Sequence, residues 1–146
     1  GMDIQATKDA WLYKLEAISA ELTSERYFSV AGGFEYTFYG LNNSSQDLGI
    51  IIEYLFDDRN AHPYNNEGSI GIRWTKNDIN SSAILAGSII DLDGNSNQFF
   101  IEYEQRLEND FKIFIEANIN GSIDNSDYNY AFKDDTNLMI KLAKYF

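Results

Sequence analysis

The 146-residue chain contains no cysteine, one proline and one histidine. Without cysteine it can form no disulfide, no thiolate zinc site and no cysteine nucleophile. The histidine, His62, stands in a polar loop beside Pro63, and no serine or carboxylate arrangement points to it as part of a catalytic triad. We therefore predict that the protein is not an enzyme and that it binds no cofactor.

Basic residues are also scarce, because 11 lysines and arginines stand against 23 aspartates and glutamates, which gives a formal net charge of −12. Such a chain repels phosphate backbones, so nucleic acid is not an expected partner. No apolar run approaches the roughly 20 residues that a membrane-spanning helix requires. The length fits a single domain, residues 1–146, which is long enough for one small closed barrel.

What the sequence does have is aromatic residues, at 15% of the chain, beside a mean hydropathy of only −0.38. A chain that is rich in rings and yet polar on average must separate the two kinds of residue by position. The separation has a period of two, since Trp11, Tyr13 and Leu15 alternate with Lys14 and Glu16. This alternation predicts β-strands whose two faces meet different surroundings.

The same alternation recurs along the chain and predicts eight strands. They cover residues 11–17, 28–38, 48–55, 70–75, 82–91, 99–107, 111–119 and 138–146. In the segment 82–91 both faces are apolar, so the pattern does not assign them. A ninth, partial strand over Met2, Ile4 and Ala6, joined to the first full strand by a tight turn at residues 8–9, is left open.

One segment fits a second interpretation. Residues 9–22 also admit a helix, which would place Trp11, Leu15 and Ile18 on one side. The strand is the preferred prediction because the period of two continues into the segments that follow.

The connections between the predicted strands alternate in length. Those at residues 8–9, 40–46, 76–80 and 108–110 alternate with those at 21–26, 57–68, 92–97 and 120–136, and the second set is longer on the whole. Consecutive antiparallel strands place alternate connections at opposite ends of a sheet, so one end carries short turns and the other carries long polar loops. Bacterial outer-membrane barrels have this layout, with short periplasmic turns and longer outside loops.

Two alternatives exist for the direction of the apolar face. A soluble barrel of eight to nine strands would turn it inward around a cavity for an apolar small molecule. An outer-membrane barrel would turn it outward to lipid, and two levels of aromatic residues favour this second alternative because they match the girdles at membrane interfaces. These residues are Trp11, Phe38, Trp74, Phe111 and Phe146 at the short-turn end, and Phe28, Tyr54 and Phe99 toward the long-loop end.

The opposite face carries charges of both signs and is predicted to line a polar lumen. Its charged residues are Lys14, Glu16, Glu35, Glu53, Arg73, Glu102, Glu104, Arg106, Lys112, Glu116 and Lys141. Inside a narrow barrel such groups would pair across the lumen, because desolvation penalises an unpaired charge. The apolar face has one charged exception, Lys144, which lies near enough to the end of its strand to snorkel to lipid headgroups.

Five segments also carry a likeness to a known family. They are AGGFEYTFYG (31–40), DLGIIIEYLFDDR (47–59), IRWTKNDINSSAILAGSIIDLDG (72–94), IEYEQRLEND (101–110) and LMIKLAKYF (138–146). As a set they resemble the C-terminal part of an uncharacterised family of Gram-negative outer-membrane β-barrel proteins. The resemblance implies an outer-membrane location and no known ligand, with the chain either standing alone or forming the last strands of a larger barrel.

The resemblance also implies a role for the end of the chain. Outer-membrane barrels commonly finish on an aromatic residue that the barrel-assembly machinery recognises, and Phe146 stands at that position. Lys144 departs from the pattern, since many such endings carry an apolar or aromatic residue there.

The segment 91–102 contains a partial calcium motif. Asp91, Asp93, Asn95, Asn97 and Glu102 fall on positions 1, 3, 5, 7 and 12 of an EF-hand loop. The glycine stands at position 4 instead of 6, and strands flank the loop where an EF-hand has helices. We therefore interpret the segment as a polar hairpin loop and predict no metal site. Glu102 and Glu104, two apart on one strand face, are interpreted as lumen or surface charge rather than as an acid–base pair.

Taken together, these patterns predict an all-β fold, an antiparallel up-and-down (meander) β-barrel of about eight strands, of outer-membrane type. The predicted function is structural or porin-like in the outer membrane of a Gram-negative bacterium. The expected partners are membrane lipids, lipopolysaccharide and, through the C-terminal strand, the barrel-assembly machinery. The alternative function is a soluble barrel that binds an apolar small molecule in its interior.

Overall fold

The computed structural model describes residues 1–22, 25–59, 64–108 and 110–146, and these form nine β-strands and two short 3-10 helices. The strands are β1 (Met2–Lys8), β2 (Trp11–Leu22), β3 (Glu25–Phe38), β4 (Asp47–Asp57), β5 (Asn66–Thr75), β6 (Ala83–Asp91), β7 (Asn97–Arg106), β8 (Phe111–Ser122) and β9 (Asn137–Lys144). The 3-10 helices cover Leu41–Asn43 and Tyr128–Phe132. No helix within these ranges has the length and apolar character needed to cross a membrane.

All nine strands belong to one antiparallel sheet in which each strand pairs with its neighbours in the sequence. The predicted all-β antiparallel meander is thus confirmed. Two details differ from the prediction: the sheet has nine strands instead of about eight, and it is open. Within the described residues β1 is hydrogen-bonded only to β2, and β9 only to β8.

The first hairpin settles two questions that the sequence left open. The possible ninth strand is present as β1, which pairs along its whole length with β2. Lys8 and Trp11 are partners, so the turn consists of Asp9 and Ala10 rather than residues 8–9. Asp9 adopts a left-handed conformation, with a φ of 54°. The helical alternative for residues 9–22 is wrong, because both edges of β2 are hydrogen-bonded to neighbouring strands.

The register of the sheet assigns the faces of β6, which the sequence could not. Gly71 is opposite Gly87 and Arg73 is opposite Leu85. Because side chains alternate along a strand, Leu85, Gly87 and Ile89 share a face with Arg73. We call this the charged face, since it also carries the predicted lumen charges, and we call the other side of the sheet, with Trp11, the apolar face.

The connections distinguish the two ends of the sheet less sharply than the sequence suggested. At the turn end, residues 39–46 between β3 and β4 span as many positions as residues 58–65 between β4 and β5 at the loop end. The difference rests mainly on residues 123–136, the longest connection, which contains the second 3-10 helix.

The sheet has no buried apolar core among the described residues. The residues buried there that are polar or charged are Asp57, Ser82 and Ser96, all at the ends of strands or in connections. The sheet curls toward its charged face, where residues of β2, β4, β5 and β7 line a common cavity. The charged face is therefore concave and the apolar face is convex.

Candidate functional site

The concave charged face is the candidate site, and the sheet register brings all eleven predicted charges onto it. Lys14 is opposite Gly33, Glu53 is opposite Ser69, and Glu102 is opposite both Leu85 and Glu116. The charges come from β2, β3, β4, β5, β7, β8 and β9, so they are spread across the sheet instead of forming one cluster. Sequence alternation alone located them, because a strand has only two faces.

One ion pair on this face joins β3 and β5 across the intervening strand β4. The guanidinium of Arg73 on β5 lies 3.6 Å from a carboxylate oxygen of Glu35 on β3. Between them, on β4, stands Gly49, where an added Cβ would lie 2.5 Å from a Glu35 carboxylate oxygen. The missing side chain at Gly49 therefore leaves the space through which Glu35 reaches its partner.

A second ion pair joins β7 and β8 near the turn end. The Lys112 ammonium lies 2.8 Å from a carboxylate oxygen of Glu104 and 4.6 Å from the centre of the Phe114 ring. The ammonium of Lys141 on β9 lies 5.6 Å from the same ring. Phe114 thus lies between two cations on the concave side, where its ring face attracts them.

Like charges also face each other directly across the ladder. Glu102 is opposite Glu116, and Arg106 is opposite Lys112. Cross-strand neighbours of equal sign are destabilising unless water or other charges screen them. The pattern therefore fits a hydrated surface better than a sealed polar core.

The concave face is crowded at its glycines and open between them. A Cβ at Gly33 would meet the Ile52 carbonyl oxygen and the Glu53 side chain, and one at Gly87 would lie 2.8 Å from the Phe100 ring. A cavity of about 490 Å³ lies beside them, lined by residues that include Lys14, Glu53 and Phe100. The face can thus accommodate water and small polar solutes between its side chains.

The predicted interface aromatics lie on the convex apolar face. At the turn end the Trp11 ring lies 5.5 Å from that of Phe34 and 4.7 Å from that of Tyr36, and Tyr36 contacts Phe38. The Trp74 indole N–H donates a 3.0 Å hydrogen bond to Gln46. This cluster extends beyond the predicted residues, since Phe34 and Tyr36 also belong to it.

The remaining predicted aromatics lie on the same face, and all of them except Phe111 are exposed. Phe28, Tyr54 and Phe99, toward the loop end, each expose more than two fifths of their surface. At the turn end the Lys144 ammonium lies 5.4 Å from the centre of the Phe111 ring and 5.3 Å from that of Phe146. The one charge predicted on the apolar face thus lies over aromatic rings at the edge of that face.

At the loop end, hydrogen bonds and an ion pair that the sequence did not reveal hold the connections in place. Arg59 donates two hydrogen bonds, of 2.7 and 2.6 Å, to the buried Asp57 carboxylate, and its guanidinium lies 4.6 Å from the Tyr27 ring centre. In the longest connection, the Ser126 backbone N–H and hydroxyl hold the pKa of the Asp124 carboxyl below its usual range. The Asp124 N–H in turn donates to the buried Ser96 hydroxyl. Only the prevalence of Asp and Ser in these loops signalled such turns.

The hydroxyl of Tyr130, which accepts a 3.0 Å hydrogen bond from the Lys133 ammonium, raises the pKa of that lysine. At the turn end, the Ser82 backbone N–H and then Lys76 lower the pKa of the Asp78 carboxyl. These groups order the connections at both ends. They form no reactive cluster.

The calcium motif is not assembled. Asp91, at the end of β6, accepts the Asp93 N–H, and Asp93 accepts a hydrogen bond from the Asn66 side chain. Glu102 lies far along β7, opposite Leu85. In the described part of the chain no group of three or more His, Asp or Glu side chains is placed to hold a metal ion. His62 lies outside the described residues.

No family model, curated protein or solved structure matches the chain.

Proposed function

We propose that the protein is a small β-barrel of the Gram-negative outer membrane, with a structural or porin-like role and no enzymatic activity. The observation that carries the proposal is the curl of the sheet. Its concave side carries the charges, and its convex side carries apolar residues that nothing in the described chain covers. An apolar convex surface is stable where the surrounding solvent is itself apolar, as in a lipid bilayer.

The exposed side chains in the middle of the strands support the proposal. Ile52, Ile70 and Ile72, from two adjacent strands, each expose more than two fifths of their surface on the convex face. Soluble monomers rarely expose contiguous apolar patches of more than a few hundred Å². A soluble barrel with an apolar interior would require the sheet to curl the opposite way, so this alternative has less support.

The aromatic residues and Lys144 provide further support. Trp11 and Phe38 stand at the turn end of the convex face, and Tyr54 and Phe99 stand toward the loop end, as in the girdles of membrane barrels. The contacts of the Lys144 ammonium with Phe111 and Phe146 allow it to remain at the interface while its alkyl stem lies against lipid.

In this proposal the charged face lines a hydrated lumen. A barrel of eight or nine strands has an interior that side chains largely fill, so any solute that passes must be small. The loops after β4 and β8 face the outside with lipopolysaccharide around them. The barrel-assembly machinery would bind β9 together with the two residues that follow it, Tyr145 and Phe146. Membership of the outer-membrane family that the sequence resembles is part of the same proposal.

The proposal is tested by partitioning and gel migration of the full chain. We expect the expressed protein to leave the membrane fraction only with detergent, and to migrate differently in electrophoresis before and after boiling, because a membrane barrel stays folded in cold detergent. A monodisperse monomer in buffer without detergent would contradict the membrane location. Removal of Phe146 should leave folding in detergent intact while reducing assembly in cells. This result would distinguish recognition of the C-terminal residue by the assembly machinery from a contribution of that residue to the stability of the fold.

A further inference from the structure

The two outer strands of the sheet leave a row of unpaired backbone groups. Within the described residues β1 and β9 each have one hydrogen-bonded neighbour. On β9, Leu138, Ile140 and Leu142 each expose at least three fifths of their surface. Such an edge is a template for another strand. Because nine antiparallel strands alternate in direction, β1 and β9 both run from the loop end to the turn end.

The curl of the sheet brings distant strands to face one another. Lys14 on β2 and Phe100 on β7 line one cavity, and Arg73 on β5 and Lys141 on β9 line another. Residues from strands four and five positions apart therefore line the same cavities on the concave face. A sheet curled in this way fits a narrow ring, such as an eight-stranded barrel whose interior side chains fill. A wide ring made by two copies of the chain would keep these strands apart.

The register shows how the strands are staggered. One row of partners crosses the whole sheet: Lys8, Trp11, Tyr36, Ile50, Ile72, Ala86, Ile101, Ala117 and Leu138. The row begins at the turn end of β1 and finishes at the loop end of β9. A sheet staggered in this way closes only if β1 slides along β9 before the two pair.

We propose that β1 and β9 pair with each other in parallel and close the nine-stranded barrel, with Asp3 opposite Lys141 on the charged face. In this register Lys8 is beside Phe146, which lies eight residues beyond Leu138 in the sequence. This offset of eight residues around the barrel is its shear. With a rise of about 3.3 Å per residue and about 4.8 Å between strands, a shear of eight over nine strands tilts the strands by about 31°. This tilt is close to the value of about 36° in eight-stranded barrels of the same shear.

The chemistry of the two edges selects this register. Asp3 and Lys141 have opposite charges on the inner face, and Ile4 meets Leu142 on the outer face. A shift of one residue would turn the apolar side chains of β1 inward. A shift of two would place Asp3 opposite Met139 or Ala143 and leave both charges without a partner at the junction.

This inference rests on the closed barrel of the proposed function and does not depend on its membrane location. The absence of cysteine from the chain allows a clean cross-linking test in the full-length protein. The variant Ile4→Cys/Leu142→Cys places two thiols on paired residues of the junction, within the Cα separation of 4.4–6.8 Å that a disulfide requires. In the matched control, Ile4→Cys/Leu138→Cys, the second thiol lies four residues, about 13 Å, along β9.

We expect the first variant to form a disulfide within one chain at least about tenfold faster than the control, because only its thiols meet disulfide geometry. Equal rates in the two variants, or no disulfide in either, would overturn the proposal. A disulfide-linked dimer would also overturn it, since β1 would then pair with a second copy. Native mass and electrophoresis without reductant distinguish these products.

A charge exchange tests the register without cysteine. Asp3→Lys and Lys141→Asp alone should each lower the temperature at which the folded form disappears in electrophoresis. The double exchange should restore most of that decrease in temperature. No recovery would argue against Asp3 opposite Lys141.

The failure of this proposal can be distinguished from the failure of the proposed function. If the protein leaves the membrane fraction only with detergent and shows heat-modifiable migration, but forms no cross-link, the junction is wrong and the proposed function stands. If it cross-links and is a monomer without detergent, the junction stands and the membrane location is wrong.

Discussion

The two faces of the sheet are built from the same strands and yet have different requirements. On the charged face, ion pairs such as Arg73 with Glu35 span strands, and glycines leave the space that long side chains need. On the apolar face rings such as Trp11 and Tyr36 contact each other, while Ile52 and Ile70 remain exposed. The difference teaches that the sheet makes its own polar contacts on one side, whereas its other side presents apolar surface that nothing in the described chain covers.

The largest expected effect is a charge in the middle of the apolar face. If the chain crosses the membrane as proposed, Ile70→Lys should lower the free energy of unfolding from lipid bilayers by about 2–4 kcal/mol, because a basic side chain costs this much near the bilayer midplane. The adjacent Ser69→Lys should cost less, because Ser69 lies on the charged face, opposite Glu53 and beside a cavity. Urea titration of both variants in vesicles measures the difference, and equal losses would remove the distinction between the faces.

A smaller effect is expected at two neighbouring glycines that point to opposite faces. At Gly33 a Cβ meets the Ile52 carbonyl and lies 2.7 Å from the Glu53 side chain, so Gly33→Ala should cost about 1–3 kcal/mol of stability, as overpacking does. At Gly32 the nearest atom is a methyl carbon of Leu15 at 3.2 Å, which can rotate away. Gly32→Ala should therefore be nearly neutral in the same urea titration, and a larger cost at Gly32 would contradict the concave charged face.

Breaking an ion pair should have a smaller effect still. Lys112→Met removes the contact with Glu104, and because Glu104 is 42% exposed, solvent screening limits the loss to about 1 kcal/mol or less. A double-mutant cycle with Glu104→Gln isolates the pair from other effects of either change. A coupling energy of zero would mean that water already replaces this contact on the charged face.

The smallest expected effect lies in a connection that belongs to neither face. The folded-state pKa of Asp78 is lowered by the Ser82 N–H and by Lys76, so its stabilisation is fully present above the ordinary pKa of about 3.9 and disappears as the pH falls through the lowered value. The Ser82 amide signal in an NMR titration should follow this step. Asp78→Asn should abolish it, and an unchanged titration in that variant would assign the step to another group.

The sequence predicted the strands well where its alternation was strong. The faces of β2, with Trp11 and Lys14, and of β8, with Lys112 and Glu116, follow from the period of two, because a strand presents only two faces. The segment of β6 could not be assigned since both of its faces are apolar. Its orientation depends on the pairing of Gly71 with Gly87, a contact between residues distant in the sequence.

The candidate site was also only partly predictable. Alternation placed the predicted charges on a single face of the sheet, but the pairing of Arg73 with Glu35 passes over a glycine on a third strand. No local pattern reports which side chain crosses which strand. The partial calcium motif shows the converse, since Asp91 and Glu102 have suitable spacing in the sequence and lie apart along the strands of the hairpin.

By itself, the sequence determined the all-β class, the positions of most strands and which residues share a face. It could do so because alternation acts between near neighbours in the chain. Only the tertiary structure decided that there are nine strands, that the sheet is open in the described chain, and that it curls toward the charges. These properties depend on register, twist and the packing of glycines against side chains from other strands, which are contacts between residues far apart in the sequence.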